Sequence, residues 1–531
     1  MAGQERTFWC PDCGVPLLEP VCEACGGRGR YLAGNALRPV FPAEVQFLED
    51  TSGVNFPADA ESGTVWASGR YYYCDGQRIA RAAGGDINNP PTVELLGEEK
   101  RGQTEQRNSG RLGQAILAAN RSSLMALENE ALAFVRAVRS EHAGKVPVVS
   151  FSGGKDSVVT SHLVNKALTE PPLHVFVDTQ LENPDTYEFV NAFFQSHPRI
   201  PHVTAEPEVD FFYLCETIGP PSRILRWCCS THKMSPLSRV YSAVGGDVGV
   251  LSYTGGRRAE SRARSEHQRV LKDTKIAGEV LSCPIIDWTD VHVWTYILSH
   301  DLPVNEAYRK GLTRVGCTVC PMNSNWTEAV ASHWYGGLVS RWSSFLNDYF
   351  SSSSVSDADV YVAKGRWKAR AGRTRSDHRQ YELSRQPCTV EPDAISYQLN
   401  RDLDDSFWEY LKPLGSVERI ADNGVIVEAF IVRDDQTTFH IRVARPRQHL
   451  RLRVLVLDPL NNWRSRFERQ LRKYQGCVGC GACVAACPVG AISLKGGYQI
   501  DARLCTHCLE CVKAPNRGCP VAHSTSFAVG Y

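Results

Sequence analysis

The sequence predicts a multidomain α/β protein in which one central parallel sheet carries smaller cysteine-rich and β-rich units before and after it. Three observations predict this. The chain has 531 residues, more than one compact core usually organises, with globular proportions of 43% hydrophobic and 22% charged side chains. From Val146 to about residue 325, continuous apolar strands alternate with amphipathic helices, the pattern of a parallel sheet with ligands at its strand C-termini. Twenty cysteines fall mostly in short-spaced clusters, which in a reducing compartment reads as metal ligation.

In chain order, residues 1–30 contain Cys10-x2-Cys13-x8-Cys22-x2-Cys25, two knuckles able to hold one Zn2+ tetrahedrally as a structural zinc ribbon. Disulfides and rubredoxin-like iron are the alternatives. Residues 31–95 carry aromatic and β-branched runs such as TVWASGRYYYCDG, predicting a small β-rich domain. Polar, Gly-punctuated residues 96–120 read as a linker. Leu124, Leu127, Ala131, Phe134, Val135 and Val138 recur at helical spacing and open the unit at 121–325. There VPVVSF is a strand, SGGKDS a turn, VVTSHLVNKAL a helix, LHVFVDT a second strand and VGVLSYTGG a later strand and loop. A helical basic extension at 326–394, a second β-rich domain at 395–460 and a cysteine-rich module at 470–525 complete the chain.

That last module reads Cys477-x2-Cys480-x2-Cys483-x3-Cys487-Pro488, then Cys505-x2-Cys508-x2-Cys511-x7-Cys519-Pro520, and resembles a two-cluster bacterial ferredoxin. The resemblance implies Cys477, Cys480, Cys483 and Cys519 on one [4Fe-4S] cluster and Cys505, Cys508, Cys511 and Cys487 on another. Its bland alternative is that the clusters only hold the fold together. Adjacent Cys228-Cys229 with Cys317-x2-Cys320 supply four corners for a further cubane, three clusters in all. Cys74, Cys215, Cys283 and Cys388 stay unassigned; most read as small core residues, and one could be a sulfur carrier.

With 59 basic and 58 acidic side chains, no global field draws the protein to a polyanion or an anionic membrane. No apolar run is long enough to cross a bilayer and the first residues lack a signal-peptide layout, so a cytoplasmic protein is expected. Nucleic acid would need a local grip. Lys364-Gly365-Arg366-Trp367-Lys368-Ala369-Arg370 with Arg373, Arg375 and Arg379 forms one basic run, and Arg442, Arg445, Arg447, Arg451 and Arg453 form another. A solvated charged face is an equal reading of each.

Ser152-Gly153-Gly154-Lys155-Asp156-Ser157 lies between strand and helix, where glycines admit backbone N–H groups to an anion and the helix N-terminus adds partial positive charge. The spacing fails the Walker A template. This segment resembles the pyrophosphate loop of N-type ATP pyrophosphatases. With FVDTQLENPDTYEFV, TGGRRAESRAR, PIIDWTDVHVWTYI and LPVNEAYRKGLTRVGCTVCP it resembles the phosphoadenylyl-sulfate (PAPS) reductase family over about residues 146–325. The resemblance implies an adenine nucleotide alpha hydrolase-like fold. Ser152 to Ser157 would hold the phosphates of ATP or an adenylyl nucleotide, with Mg2+. Asp178 would lie near the adenosine or its metal, and Gly255, Gly256, Arg257, Glu260 and Arg264 would form a second phosphate loop. Lys155, Asp156, Ser157, Asp178 and Arg257 are the expected catalytic residues. Cluster-bearing members carry the same CC and CxxC arrangement.

The reductases' nucleophilic motif E-C-G-L-H is absent; the nearest string, Glu510-Cys511-Val512, belongs to the ferredoxin pattern. The fused layout looks more like the sulfur-inserting proteins of DNA phosphorothioation systems. The expected activity is therefore pyrophosphate-releasing sulfur insertion into nucleic acid, DNA ahead of tRNA, served by a cysteine desulfurase or other sulfur donor and by an electron donor. Reduction of adenylyl-sulfate or PAPS with ferredoxin-delivered electrons is the alternative, with Cys388 as a possible thiol. A partner protein whose nucleotide domain only senses ATP is the third.

Overall fold

The computed structural model describes residues 6–34, 36–57, 63, 65–96, 109–272, 274–353, 355–369, 383–444, 448–456, 462–514, 516–524 and 527–529. At the N-terminus β1 (Thr7–Cys10), β2 (Val15–Leu17) and β3 (Arg30–Ala33) form an antiparallel sheet in the order β2-β1-β3. A five-stranded antiparallel meander follows: β4 (Leu37–Pro39), β5 (Val65–Ser68), β6 (Tyr71–Cys74), β7 (Gln77–Gly84) and β8 (Pro91–Leu95). Within the stretch read as a linker, residues 97–108 lie outside the described residues. From Ser109 to Ala119 it is instead a helix, because Leu112, Ile116 and Ala119 are buried against neighbouring elements.

The central unit has the α/β architecture that the strand–helix alternation predicts. β9 (Val146–Ser150), β10 (Leu173–Val177), β11 (His202–Ala205), β12 (Val250–Tyr253), β13 (Val270–Leu271) and β14 (Glu279–Ser282) are arranged β11-β10-β9-β12-β14-β13. All pairings are parallel except the edge pairing of β13 with β14. The order reverses at β9, so the loops leaving β9 and β12 flank the crevice where such sheets bind ligands. Helix Arg121–Glu141 lays Val135 and Val138 on Val149, Val164, Leu251 and Tyr253, burying the apolar stripe seen in the sequence.

Helices Asn325–Trp334, Gly336–Ser351 and Ala358–Ala363 follow. The expected helical extension to residue 394 ends earlier, because β15 (Leu383–Pro387) and β16 (Ala394–Gln398) already pair in the next sheet. That sheet adds β17 (Ser416–Asp422), β18 (Ile426–Arg433), β19 (Gln436–Ala444) and β20 (His449–Val454), ordered β17-β18-β19-β20-β16-β15. Helix Trp463–Gly476 covers one face and leads into the cysteine-rich module, which holds the short pair β21 (Ile492–Ser493) and β22 (Gln499–Ile500). The chain then returns as β23 (Phe527–Val529), parallel to β15, so the module is embraced by the preceding sheet.

Candidate functional site: a two-loop crevice beside three cysteine sets

Ser152–Gly154 form the turn after β9, and Lys155 begins helix Lys155–Ala167. The Ser157 hydroxyl donates to the Gly154 carbonyl (2.8 Å) and accepts from the Ser152 N–H (3.2 Å), which closes the loop on itself. Tyr308, from the NEAYR segment, accepts the Lys155 backbone N–H at 3.1 Å.

The second loop touches the first. Gly255 approaches so closely that a Cβ there would stand 2.7 Å from the Asp156 carbonyl, so only glycine fits. Arg257 is 3% exposed, and its Nε lies 2.6 Å from Asp156 Oδ1 while NH2 donates to Asp290 Oδ1 at 2.8 Å. Lys155 Nζ lies 2.9 Å from Asp156 Oδ2 and 3.3 Å from Asp290 Oδ1. Two cations and two carboxylates therefore form one network at the crevice. Burial opposes charge on Lys155 and on Arg257, but the carboxylates outweigh it and raise both pKa values. The same cations, against burial, hold Asp290 below its usual range. Glu260 ion-pairs with Arg264, whose charge burial and Arg314 disfavour.

Asp178 follows β10 and accepts from the Tyr187 hydroxyl and the Gln180 N–H, both at 2.7 Å. The next residue, Thr179, joins this strand end to the cysteines: its Oγ lies 3.3 Å from Cys317 Sγ and donates to buried Glu182 at 2.9 Å. Cys228 and Cys229 lead into a single π-helical turn, Ser230–Met234, a distortion frequent at functional sites. A hydrogen bond with Cys228 lowers the Cys229 thiol to about 6, and Cys228, Cys229, Cys317 and Cys320 lie within reach of each other's charge. Lys233 faces Cys317, Glu182 and Cys229, which keep it protonated. Asp290, Tyr308, Thr179, Glu182 and Lys233 were not singled out from sequence; only the positions of the first four within the quoted segments, and of Lys233 four residues beyond the CC pair, hinted at them.

The cysteine-rich module abuts this turn. Ser230 Oγ donates to the Asn516 carbonyl at 2.8 Å, and Gly481, at φ +73°, lies so near that a Cβ would come 2.0 Å from Ser235 Oγ. Gly481 and Asn516 flank Cys480, Cys483 and Cys519 of the first predicted set. Lys473 is wholly buried between the sets; its Nζ donates to Tyr498 at 2.7 Å, and among the described residues no carboxylate pairs with it. Burial opposes its charge, and the cysteines that face it, Cys483, Cys511 and Cys519, come from both sets, a placement that suits anionic iron–sulfur centres held by them.

At the N-terminus Cys10, Cys13, Cys22 and Cys25 bring their Sγ atoms within 4.8 Å of one another. The Cys10–Cys25 and Cys13–Cys22 separations are 3.5 and 3.7 Å, near the edge of about 3.8 Å that Zn–S bonds of about 2.3 Å impose on a tetrahedron. The donor set fits zinc.

Other expectations fare differently. Trp367 is 4% exposed and packs on Trp342, and Lys368 is buried against Glu328 at 2.5 Å, so neither can serve the base stacking or phosphate contact expected of that run. Lys364 and Arg366 are exposed; Arg370, Arg373, Arg375 and Arg379 lie outside the described residues, as do Arg445 and Arg447. Arg442 pairs with Glu428 and Glu391, Arg451 is half-buried and Arg453 is exposed. Of the unassigned thiols, Cys215 and Cys283 are buried; Cys74, at the end of β6, and Cys388, just after β15, are half-buried.

The phosphoadenosine phosphosulfate reductase domain family matches residues 146–323, and the 4Fe-4S dicluster domain family matches residues 476–522. An adenosine 5'-phosphosulfate reductase of Staphylococcus epidermidis is 30% identical over 175 residues, 33% of this chain and 69% of that protein. The chain belongs to the phosphoadenosine phosphosulfate reductase family. An uncharacterised protein of Methanocaldococcus jannaschii is 31% identical over 253 residues, 48% of this chain and 52% of its own length; a second from that organism is 29% identical with 59% of its length covered. The chain thus spans little more than half of these two relatives. A crystal structure of phosphoadenylyl-sulfate reductase from Candida auris aligns with 32% of this chain and 80% of its own at 21% identity and TM-score 0.27. Membership of the family, with the dicluster domain, supports sulfur-related nucleotide chemistry. Among the described residues no helix is long and apolar enough to cross a membrane.

Proposed function

We propose that the protein reduces a sulfonucleotide of the adenylyl-sulfate class, drawing electrons from its own dicluster module. The observation that carries this reading is the contact of the module, through Gly481 and Asn516, with the π-helical turn that follows Cys228-Cys229. An electron source packed on the cysteine turn beside the nucleotide crevice suits a reduction. The balanced reaction is adenylyl sulfate(2−) plus two electrons and one proton giving AMP(2−) and HSO3−: the S–O bond to the nucleotide phosphate breaks, and sulfur(VI) becomes sulfur(IV).

The chain's own residues would bind and orient. Lys155 and Arg257 are cations already fixed at the crevice, able to stabilise the phosphosulfate as negative charge shifts onto the departing phosphate. Asp178, at the end of β10, would lie near the adenosine. Cys228, Cys229, Cys317 and Cys320 would hold a cluster beside Thr179, with Lys233 opposing its negative charge. Bound iron–sulfur clusters supply electrons one at a time.

A second reading, ATP-dependent sulfur insertion into nucleic acid with Mg2+ on the triphosphate, rests on a different observation. Outside the cysteine sets, the thiol nearest the two loops is Cys283, which would stand 3.4 Å from a Gly256 Cβ. It is 3% exposed, and burial pushes it up to about 11. It is a poor nucleophile for the covalent step of a thiol-dependent reductase. The deciding experiment incubates the iron-reconstituted full chain anaerobically with photoreduced deazaflavin and adenylyl sulfate, and separately with ATP, Mg2+, a sulfide source and duplex DNA. Equimolar AMP and sulfite are the expected products; pyrophosphate from ATP with phosphorothioate-linked dinucleotides and no sulfite would replace the first reading by the second.

A further inference from the structure

We propose that the basic depression around Cys508 is the docking face for an acidic one-electron carrier protein, the entry point for electrons into the dicluster module. This rests on the reductive reading only in supposing that the module is loaded with its clusters.

The module is polarised. Its first cysteine set lies against the Cys228-Cys229 turn, with Cys483 and Cys519 buried. The second set also has two buried thiols, Cys487 and Cys511, but it reaches the surface at Cys508, which is exposed, and Leu504 and Val489, which neighbour Cys505 and Cys487, are 50% and 39% exposed. Beside Cys508 opens a depression of about 380 Å3 whose walls include Arg433, Arg466, Arg469 and Lys513. Two carboxylates lie among these cations: Asp434 is 3.5 Å from Arg433, and Glu510 is 2.5 Å from Lys513 and 2.9 Å from Arg517. Among the described residues, the four cationic walls outnumber the two carboxylates just named, which makes this rim basic on a chain whose total charge is only +1.

An exposed cluster ligand with apolar neighbours and a cationic rim is the complement of a small acidic electron carrier. Opposite charge steers such an encounter and orients it, while modest apolar contact keeps it short-lived. In each encounter the carrier is oxidised by one electron and the module reduced by one, with no bond made or broken.

The test measures anaerobic stopped-flow reduction of the reconstituted full chain, read as iron–sulfur bleaching, by pre-reduced acidic flavodoxin and, separately, by photoreduced deazaflavin. No sulfur substrate is present, so the outcome is independent of which reaction the nucleotide crevice performs. The double variant Arg466→Glu/Arg469→Glu is expected to slow flavodoxin-driven bleaching about tenfold or more and to abolish its fall with rising salt. Deazaflavin-driven bleaching and iron content should be unchanged. Lys513→Glu, on a 61% exposed side chain, should slow it by a smaller factor and covers the case in which the double variant fails to fold. Wild-type reduction by flavodoxin that is insensitive to salt, charge reversals without effect, or equal slowing toward both reductants would each overturn the proposal.

Discussion

Arg257 Nε lies 2.6 Å from Asp156 Oδ1, which ties the loop after β12 to the loop after β9 through a buried ion pair. The pairing fixes both loops before any ligand arrives. Replacing Arg257 by Ala would leave Asp156 and Asp290 sharing only Lys155. The expected loss is about 3 kcal/mol, the low end for breaking a buried pair because Asp290 is 35% exposed. Urea unfolding of Arg257→Ala against wild type measures it, and adding Asp290→Asn should recover part of the loss.

Gly255→Ala should separate the same loops by sterics alone. Its methyl would overlap the Asp156 carbonyl, and strain of about 1–3 kcal/mol corresponds to roughly a fivefold to 150-fold loss of nucleotide affinity by calorimetry. Gly256→Ala meets only Cys283 Sγ at 3.4 Å and should bind almost normally. Lys155→Ala should abolish turnover while sparing iron content.

Stability should fall on mild acidification. Burial lowers His162, His174, His232 and His292 from 6.5 to about 4. A histidine with a depressed native pKa contributes stability that is complete above about 6.5 and is lost as pH falls toward 4, because the unfolded chain binds the extra proton first. His174 is fully buried, its Nδ1–H donating to the Pro172 carbonyl and its Nε2 accepting from the Ser161 hydroxyl. It should contribute a slope of up to about 1.4 kcal/mol per pH unit in that window. Urea midpoints between pH 7.5 and 5 should show the decline, and His174→Gln should flatten it by close to one proton.

Metal content should separate the cysteine sets. Cys10→Ser is expected to lose zinc and keep all iron; Cys317→Ala is expected to lose the iron of one cluster and keep zinc. Elemental analysis of the purified variants reads both, and unchanged iron in Cys317→Ala would remove the third cluster.

Gly481→Ala should loosen the module from the central domain. The residue sits at positive φ with Ser235 Oγ where the methyl would go. Iron content should hold, while magnetic coupling between the module and the Cys228–Cys320 cluster, read by electron paramagnetic resonance, should weaken.

Sequence alone determined what repeats at short range. Strand–helix alternation gave the parallel sheet, and CxxC spacings gave the sites that the ribbon and the dicluster module present, because knuckles and Gly turns are local geometry. The helical stripe from Leu124 to Val138 was legible for the same reason. Tertiary structure decided what meets at long range. Trp367 lies beside cations in sequence, yet Trp342 buries it; a run of charges says nothing about which side chains the fold turns inward. The helix at Ser109–Ala119 is polar in its neighbourhood and apolar only where a distant partner receives Leu112 and Ile116. The Lys155–Asp156–Arg257–Asp290 network joins positions up to 135 residues apart, and Ser230 meets Asn516 across 286. Such contacts exist only once the sheet order places β12 beside β9 and the last strand returns to β15, and no local spacing encodes either pairing.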